Sequence, residues 1–241
     1  MERMMKKLIL TAALLWATSN LFAQSAASGN QYSTYYYQRA SLFEVLPITS
    51  NDIVFIGNSI TDGNEWNELF QNPRIKNRGI SGDTTHGVLD RLGSITRGKP
   101  AAIFLMIGIN NVSRGEPADS IAAGIQRILR NIRTQSPHTR LFVQSLLPIT
   151  PHYGKFQDHT RHWQMIPLIN KAVRQIAENE GATFIDLFSH FADERGQMKV
   201  SYTNDGLHLL GAGYLLWKEI LMPYISSIAQ ESDSRLSSQT E

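Results

Sequence analysis

Between residues 50 and 230 the chain alternates short apolar runs with longer amphipathic ones. Five of the short runs predict strands: Ile53–Ile56, Ile75–Asn77, Ala102–Ile107, Leu141–Leu146 and Thr183–Asp186. The middle ones show little apolar–polar alternation, which is the pattern of parallel strands buried on both faces. Helices are predicted over about 84–97, 118–134, 161–180 and 212–228. In the second of these, Ile121, Ile125, Ile128, Leu129 and Ile132 recur at helical spacing and mark one buried face. Strand and helix in alternation imply a three-layer α/β domain around a parallel sheet. Ligands in such folds sit beyond the carboxyl ends of the strands, so the loops that follow the strands are where chemistry is expected.

The ends of the chain are patterned differently. Residues 1–7 carry Arg3, Lys6 and Lys7 against Glu2, Leu8 to Trp16 is apolar, and small residues cluster at Ala23 and at Ala26-Ala27. A basic start, an apolar run too short to span a bilayer and a small-residue end describe a secretory signal peptide, residues 1–23, with cleavage after Ala23 or, alternatively, after Ala27. Residues 24–50 read as a linker and lead-in segment, 51–229 as the domain, and 230–241 as a polar, flexible tail.

Removing the export segment changes the charge balance. The whole chain has 23 basic and 21 acidic residues, and the mature part has 20 of each. A neutral domain lacks the electrostatic footprint of a nucleic-acid binder, and it has no polybasic patch for an anionic membrane. The sequence contains no cysteine, so an exported form has neither disulfides nor the acceptor for a lipoprotein anchor. The expectation is one soluble domain in the periplasm or outside the cell, held together by its core.

Five loops carry candidate chemistry. The first strand runs into Gly57-Asn58-Ser59, where a serine at the sheet edge reads either as a nucleophile or as a helix N-cap. The second runs into Ser81-Gly82-Asp83-Thr84-Thr85, where glycine permits close backbone approach and Asp83 or Thr84 is placed to cap a helix. After the third strand comes Gly108-Ile109-Asn110-Asn111, and a side-chain amide there can donate to an oxyanion. The fourth loop holds His152, Tyr153, Phe156 and His159, with His162 and Trp163 just beyond. These histidines follow no zinc spacing and have no accompanying cysteine or paired acid, so a loop that borders substrate is expected rather than a metal site. After the fifth strand, Asp205 and His208 lie three residues apart on a short turn, close enough for the carboxylate to hold the imidazole's tautomer.

Taken in order, these loops resemble the SGNH, or GDSL-like, hydrolases over about residues 50–222. Ser59, Gly82, Asn110 and the closing Asp205-x-x-His208 match the family's four blocks. The likeness leans toward its platelet-activating-factor acetylhydrolase and carbohydrate O-acetylesterase branch, through Gly82-Asp83-Thr84-Thr85, Asn110-Asn111 and Leu146-Leu147-Pro148. Two departures stand out: Asn58 and Asn111 occupy positions where the family usually has aspartate.

The resemblance implies a flavodoxin-like three-layer α/β/α sandwich with a five-stranded parallel sheet. It implies a serine esterase with Ser59 as nucleophile, His208 as base and Asp205 as its orienting acid. The oxyanion hole would comprise the Ser59 and Gly82 backbone N–H groups and the Asn110 amide, and no cofactor or metal is implied. The substrate implied is a short-chain ester, acetyl above all, on a carbohydrate such as a sialic acid or a plant-type glycan. Lysophospholipase or thioesterase action and O-acyl transfer remain the alternatives within the same scaffold, and a catalytically silent binding protein is the alternative outside enzymology.

Overall fold

The structure, a computed structural model, describes residues 31–237. The export segment and both of its expected cleavage points lie outside the described residues. The chain divides into Met1–Thr34 and Tyr35–Glu241, and the fold belongs to the second unit.

Five parallel strands form one sheet: β1 Ile53–Gly57, β2 Ile75–Gly79, β3 Ala102–Met106, β4 Arg140–Gln144 and β5 Thr183–Ile185. Their order is β2-β1-β3-β4-β5. β1 and β3 are buried along their whole length, whereas β5 at the edge is only partly covered. That gradient explains why β1 and β3 read as unbroken apolar runs. The long helices are α1 Thr34–Val45, α2 Ala118–Gln135, α3 Ile166–Asn179 and α4 Gly211–Ser237. All five predicted strands are present, and the isoleucine and leucine face predicted for 118–134 is the buried face of α2.

Aromatic residues fill one side of the sheet. Phe55, Phe104 and Phe142 are register partners or share a face across β1, β3 and β4, and their rings stack at 5.0 and 4.4 Å. Trp66 stacks on Phe55 at 4.5 Å and meets Trp217 of α4 edge-on at 4.8 Å. The Trp217 indole N–H donates to Gln144 Oε1 at 2.6 Å, so the polar end of this buried ring is satisfied. α2 and α3 pack against each other and carry the crossovers from β3 to β4 and from β4 to β5, which right-handedness places on the opposite face. Asn170 of α3 clasps the backbone of Leu146, accepting from its N–H at 2.8 Å and donating to its carbonyl at 2.9 Å.

Three elements differ from the sequence expectation. The helix expected over 84–97 is split into Thr85–Asp90 and Gly93–Thr96, because Arg91 turns inward to a buried partner and Gly87 and Gly93 favour helix only weakly. The helix expected from 161 begins as a single 3-10 turn at Trp163–Met165, and α3 starts at Ile166 with Pro167 in its first turn. The last helix runs on to Ser237, past the end expected at 228. The lead-in also contains α1, whose Phe43 is 1% exposed beneath the guanidiniums of Arg39, Arg78 and Arg91.

Strand order matters for function because the chain leaves β1 toward β2 and returns past it to β3. The crevice at this reversal, beyond the carboxyl ends of β1 and β3, is the standard ligand position of such sheets. The loops holding Ser59, Gly82 and Asn110 all open there.

Candidate active site

Ser59 begins the single-turn helix Ser59–Asp62 directly after β1. The chain can turn there because Gly57 has no Cβ: one would lie 2.1 Å from Thr61 Oγ1 and 2.7 Å from the Met106 carbonyl. Ser59 is not the cap of that helix. Asn58 is, and its Oδ1 accepts from the Ile60 N–H at 3.0 Å. As the first residue of the turn, Ser59 keeps a backbone N–H with no intrahelical acceptor.

The Ser59 hydroxyl lies 3.0 Å from His208 Nε2, across 149 residues of sequence. On the other side of the ring, His208 Nδ1 lies 2.8 Å from Asp205 Oδ2. The carboxylate can only accept, so Nδ1 carries the proton, and Nε2 is left as the acceptor of the serine hydroxyl. Asp205 Oδ1 accepts from the backbone N–H groups of Leu207 and His208, both at 2.8 Å. Burial pushes the Asp205 carboxyl up, but these N–H groups and the imidazole outweigh it and hold it below its ordinary range. The turn itself is braced by Thr203, whose Oγ1 accepts from the Gly206 N–H at 2.9 Å.

Gly82 sits at φ +80°, a left-handed conformation that favours glycine even though a Cβ would meet nothing within 4 Å. Its neighbours' N–H groups are engaged, Ser81 with Asp62 Oδ2 at 3.3 Å and Asp83 with the Ile80 carbonyl at 3.1 Å. The Gly82 N–H has no acceptor among the described residues. Asn110 lies in the short helix Ile109–Ser113 after β3 and is 8% exposed. Its Nδ2 donates to the Asp83 carbonyl at 2.8 Å, which ties it to the Gly82 loop.

The loops are locked to one another. Asp83 and Arg91 form a buried ion pair at 2.8 Å, and Arg91 Nη2 also donates to the Gly57 carbonyl at 3.2 Å. Asp62 accepts from the Tyr35 hydroxyl of α1 at 2.7 Å as well as from Ser81. Of the two caps left open by the sequence, Thr84 takes the role by accepting from Gly87, while Asp83 is committed to Arg91. Burial pushes the Asp83 carboxyl up and the Arg91 charge pulls it back, with burial the larger effect.

The two departures from the family pattern have structural uses. Asn58 is the cap just described, with its Nδ2 buried and unpartnered among the described residues. Asn111 is fully buried and bonds Thr85 through both ends of its amide, with a further bond to Glu116.

The fourth loop borders the crevice and contributes a contact that the sequence did not indicate. The rings of Phe156 and His208 meet in a T-shaped contact at 5.0 Å, and Phe156 is 45% exposed. His159 Nε2 lies 3.0 Å from Asn110 Oδ1. Burial, reinforced by the nearby His208 and opposed by Asp158, lowers the pKa of His159, which keeps the ring neutral. The other two histidines of this stretch point to different partners: His152 lies against Tyr153, and His162 accepts from Arg161. No cluster of three or more candidate metal ligands occurs among the described residues.

A hydroxyl bonded to an imidazole and an imidazole bonded to a carboxylate together form a constellation suited to acyl transfer through serine. Comparison with known proteins is consistent with this. The model of the GDSL-like Lipase/Acylhydrolase family matches residues 55–216. The bovine (Bos taurus) platelet-activating factor acetylhydrolase IB subunit alpha1 is 31% identical over 170 residues, which cover 68% of this chain and 70% of that one. A GDSL-like lipase from Bacteroides thetaiotaomicron superposes with a TM-score of 0.69 at 22% identity, covering 80% of this chain and 97% of its own. An acetylxylan esterase from Geobacillus stearothermophilus gives 0.58 at 20% identity, over 74% and 95% of the two chains. At these identities the two structures bear on the fold alone.

Proposed function

Since the chain belongs to the GDSL-like lipase/acylhydrolase family and is thereby an ester hydrolase, we propose that it works through an acyl-enzyme on Ser59 and removes short acyl groups, acetyl above all, from carbohydrates. The observation that carries the catalytic part is the Ser59–His208–Asp205 relay, with contacts of 3.0 and 2.8 Å.

In the proposed reaction, Ser59 Oγ attacks the ester carbonyl and His208 Nε2 takes its proton. Asp205 accepts from Nδ1 throughout, fixing the tautomer and stabilising the imidazolium. Negative charge collects on the carbonyl oxygen, where the N–H groups of Ser59, Gly82 and Asn110 converge. The tetrahedral adduct collapses, the ester C–O bond breaks, and His208 returns the proton to the leaving alcohol. Water then attacks the acyl-serine by the same route, restoring Ser59 and releasing the acid. Each step is completed by groups of this chain, the substrate and water.

The acetyl preference is supported by the acetylhydrolase named among the relatives, at 31% identity. The carbohydrate leaving group is supported by Phe156, a half-exposed ring beside the base that protonates the departing alcohol. Such a ring offers a flat apolar face of the kind that sugars stack on. The same relative favours a second reading, an acetyl ester on a glycerophospholipid. No helix among the described residues is long and apolar enough to cross a membrane. Export by the residue 1–23 segment belongs to the same proposal and rests on the sequence pattern.

The test compares acetate release from acetylated oligosaccharides and from acetyl glycerophospholipids, beside a p-nitrophenyl ester series of increasing chain length. The proposal expects the highest kcat/KM on the acetylated sugars and a fall in kcat/KM from acetyl to octanoyl. A kcat/KM that climbs with chain length, or is higher on the phospholipid, would replace the carbohydrate reading with the lipid one.

A further inference from the structure

We infer that His159 is a positioning residue of the reaction, clamping the Asn110 amide so that its free N–H faces the carbonyl oxygen under attack. This rests on the reading of Asn110 as an oxyanion donor.

The hydrogen-bond chemistry fixes the arrangement. The Asp83 carbonyl can only accept, so the group that meets it at 2.8 Å must be the Asn110 Nδ2. Asn110 Oδ1 therefore faces His159 Nε2 at 3.0 Å. An amide oxygen can only accept, so Nε2 carries the hydrogen and His159 donates. An asparagine side chain ends in a broad torsion with two nearly equivalent orientations. Here one end of the amide is held by Asp83 and the other by His159, and a single orientation survives. In it, one N–H of Nδ2 is spent on Asp83 and the second is left for substrate.

His159 is itself held. It lies in the single-turn helix Gln157–Thr160, which packs on the short helix carrying Asn110. That turn starts from Phe156 in a left-handed conformation, φ +48°, unusual for a bulky residue. Both the His159 and Thr160 N–H groups donate to the Phe156 carbonyl, at 2.8 and 2.9 Å. The Thr160 hydroxyl donates to the Lys155 and Phe156 carbonyls. Backbone strain of this kind persists where the surroundings over-determine it, and it clusters at functional sites. One irregular turn thus aims Phe156 at His208 and His159 at Asn110. A neutral ring is suited to this task, because it donates to the amide without adding a second cation beside the imidazolium that forms on His208.

The experiment measures steady-state hydrolysis of p-nitrophenyl acetate by the full mature chain and by His159→Leu, His159→Met, His159→Gln, Asn110→Ala and the His159→Leu/Asn110→Ala double variant. Rates are taken per folded molecule, as counted by thermal melts. Leu and Met cannot donate, and each is expected to lower kcat about tenfold, with KM within about twofold. Glutamine places an N–H near the position of Nε2 and should restore kcat to within about threefold of wild type. The double variant should be no slower than Asn110→Ala alone, because His159 acts through Asn110. Folded Leu and Met variants at wild-type kcat, a defect confined to KM, or losses that multiply in the double variant would each overturn the inference. If Asn110→Ala is slow while both non-donating variants are not, only the role of His159 falls. If Asn110→Ala itself keeps full kcat, the oxyanion reading falls and the role of His159 falls with it.

Discussion

Asn110 has two hydrogen-bonding ends, and the fold engages both before any substrate arrives. A ground-state carbonyl carries little charge, whereas the tetrahedral adduct carries a full one, so a donor aimed at that oxygen acts mainly on the transition state. Asn110→Ala is therefore expected to lower kcat about 100- to 1,000-fold with KM nearly unchanged, and the remaining backbone donors should leave measurable turnover. A folded Asn110→Ala protein within about threefold of wild-type kcat would exclude the oxyanion role. The histidine behind it has a separate signature. Burial lowers the pKa of His159 in the folded state, while in the unfolded chain it returns to about 6.5. Below that value the unfolded state takes up the proton more readily, so stability falls as pH drops from about 6.5 toward the folded-state value. His159→Gln should flatten this part of the wild-type melting profile, and an unchanged pH slope would contradict the assignment. Asp205 titrates lower. Its depressed carboxyl contributes stability above its unfolded value of about 3.9, lost as pH falls through the folded one.

At the scale of elements, the sequence revealed what periodicity and adjacency encode. Strands buried on both faces appear as apolar runs, and α2 showed its core face at helical spacing. Ser59, Gly82, Asn110, Asp205 and His208 were placed at one sheet edge because each follows a strand; the structure bonds Ser59 to His208 and His208 to Asp205, and ties Asn110 to the carbonyl of Asp83 beside Gly82. What stayed hidden depends on contacts distant in sequence. The bond from His159 to Asn110 spans 49 residues, and no spacing rule joins a histidine after β4 to an amide after β3. The only signal was that both loops open at the same edge. The break at Arg91 was hidden too, since its cause is the buried Asp83 eight residues away. α1 escaped notice because its apolar and polar residues are not sorted to opposite sides. Its anchor is Phe43, buried among three guanidiniums. Phe43→Ala should cost about 3–5 kcal/mol, read as a lowered melting temperature and denaturation midpoint. A loss under about 1 kcal/mol would mean that α1 is an appendage rather than part of the core.

Across the whole molecule, the site depends on a sheet whose chain path reverses between β1 and β3, placing the Ser59, Gly82 and Asn110 loops around one crevice. The buried Asp83–Arg91 pair and the Tyr35–Asp62–Ser81 chain hold those loops before substrate binds, which is the preorganisation that oxyanion stabilisation needs. The export proposal makes its own prediction: protein recovered from the producing cell's envelope or medium should begin at Gln24 or Ser28, and intact mass measurements retaining Met1 would refute it. The central claim is that an acyl group passes through Ser59. Its most direct test is mass spectrometry of protein quenched in acid during turnover of p-nitrophenyl acetate, with Ser59→Ala in parallel. One acetyl group on the peptide containing Ser59, together with a folded Ser59→Ala protein that neither labels nor turns over, is the predicted result. An acetyl group on another residue, or sustained hydrolysis by folded Ser59→Ala, would contradict it.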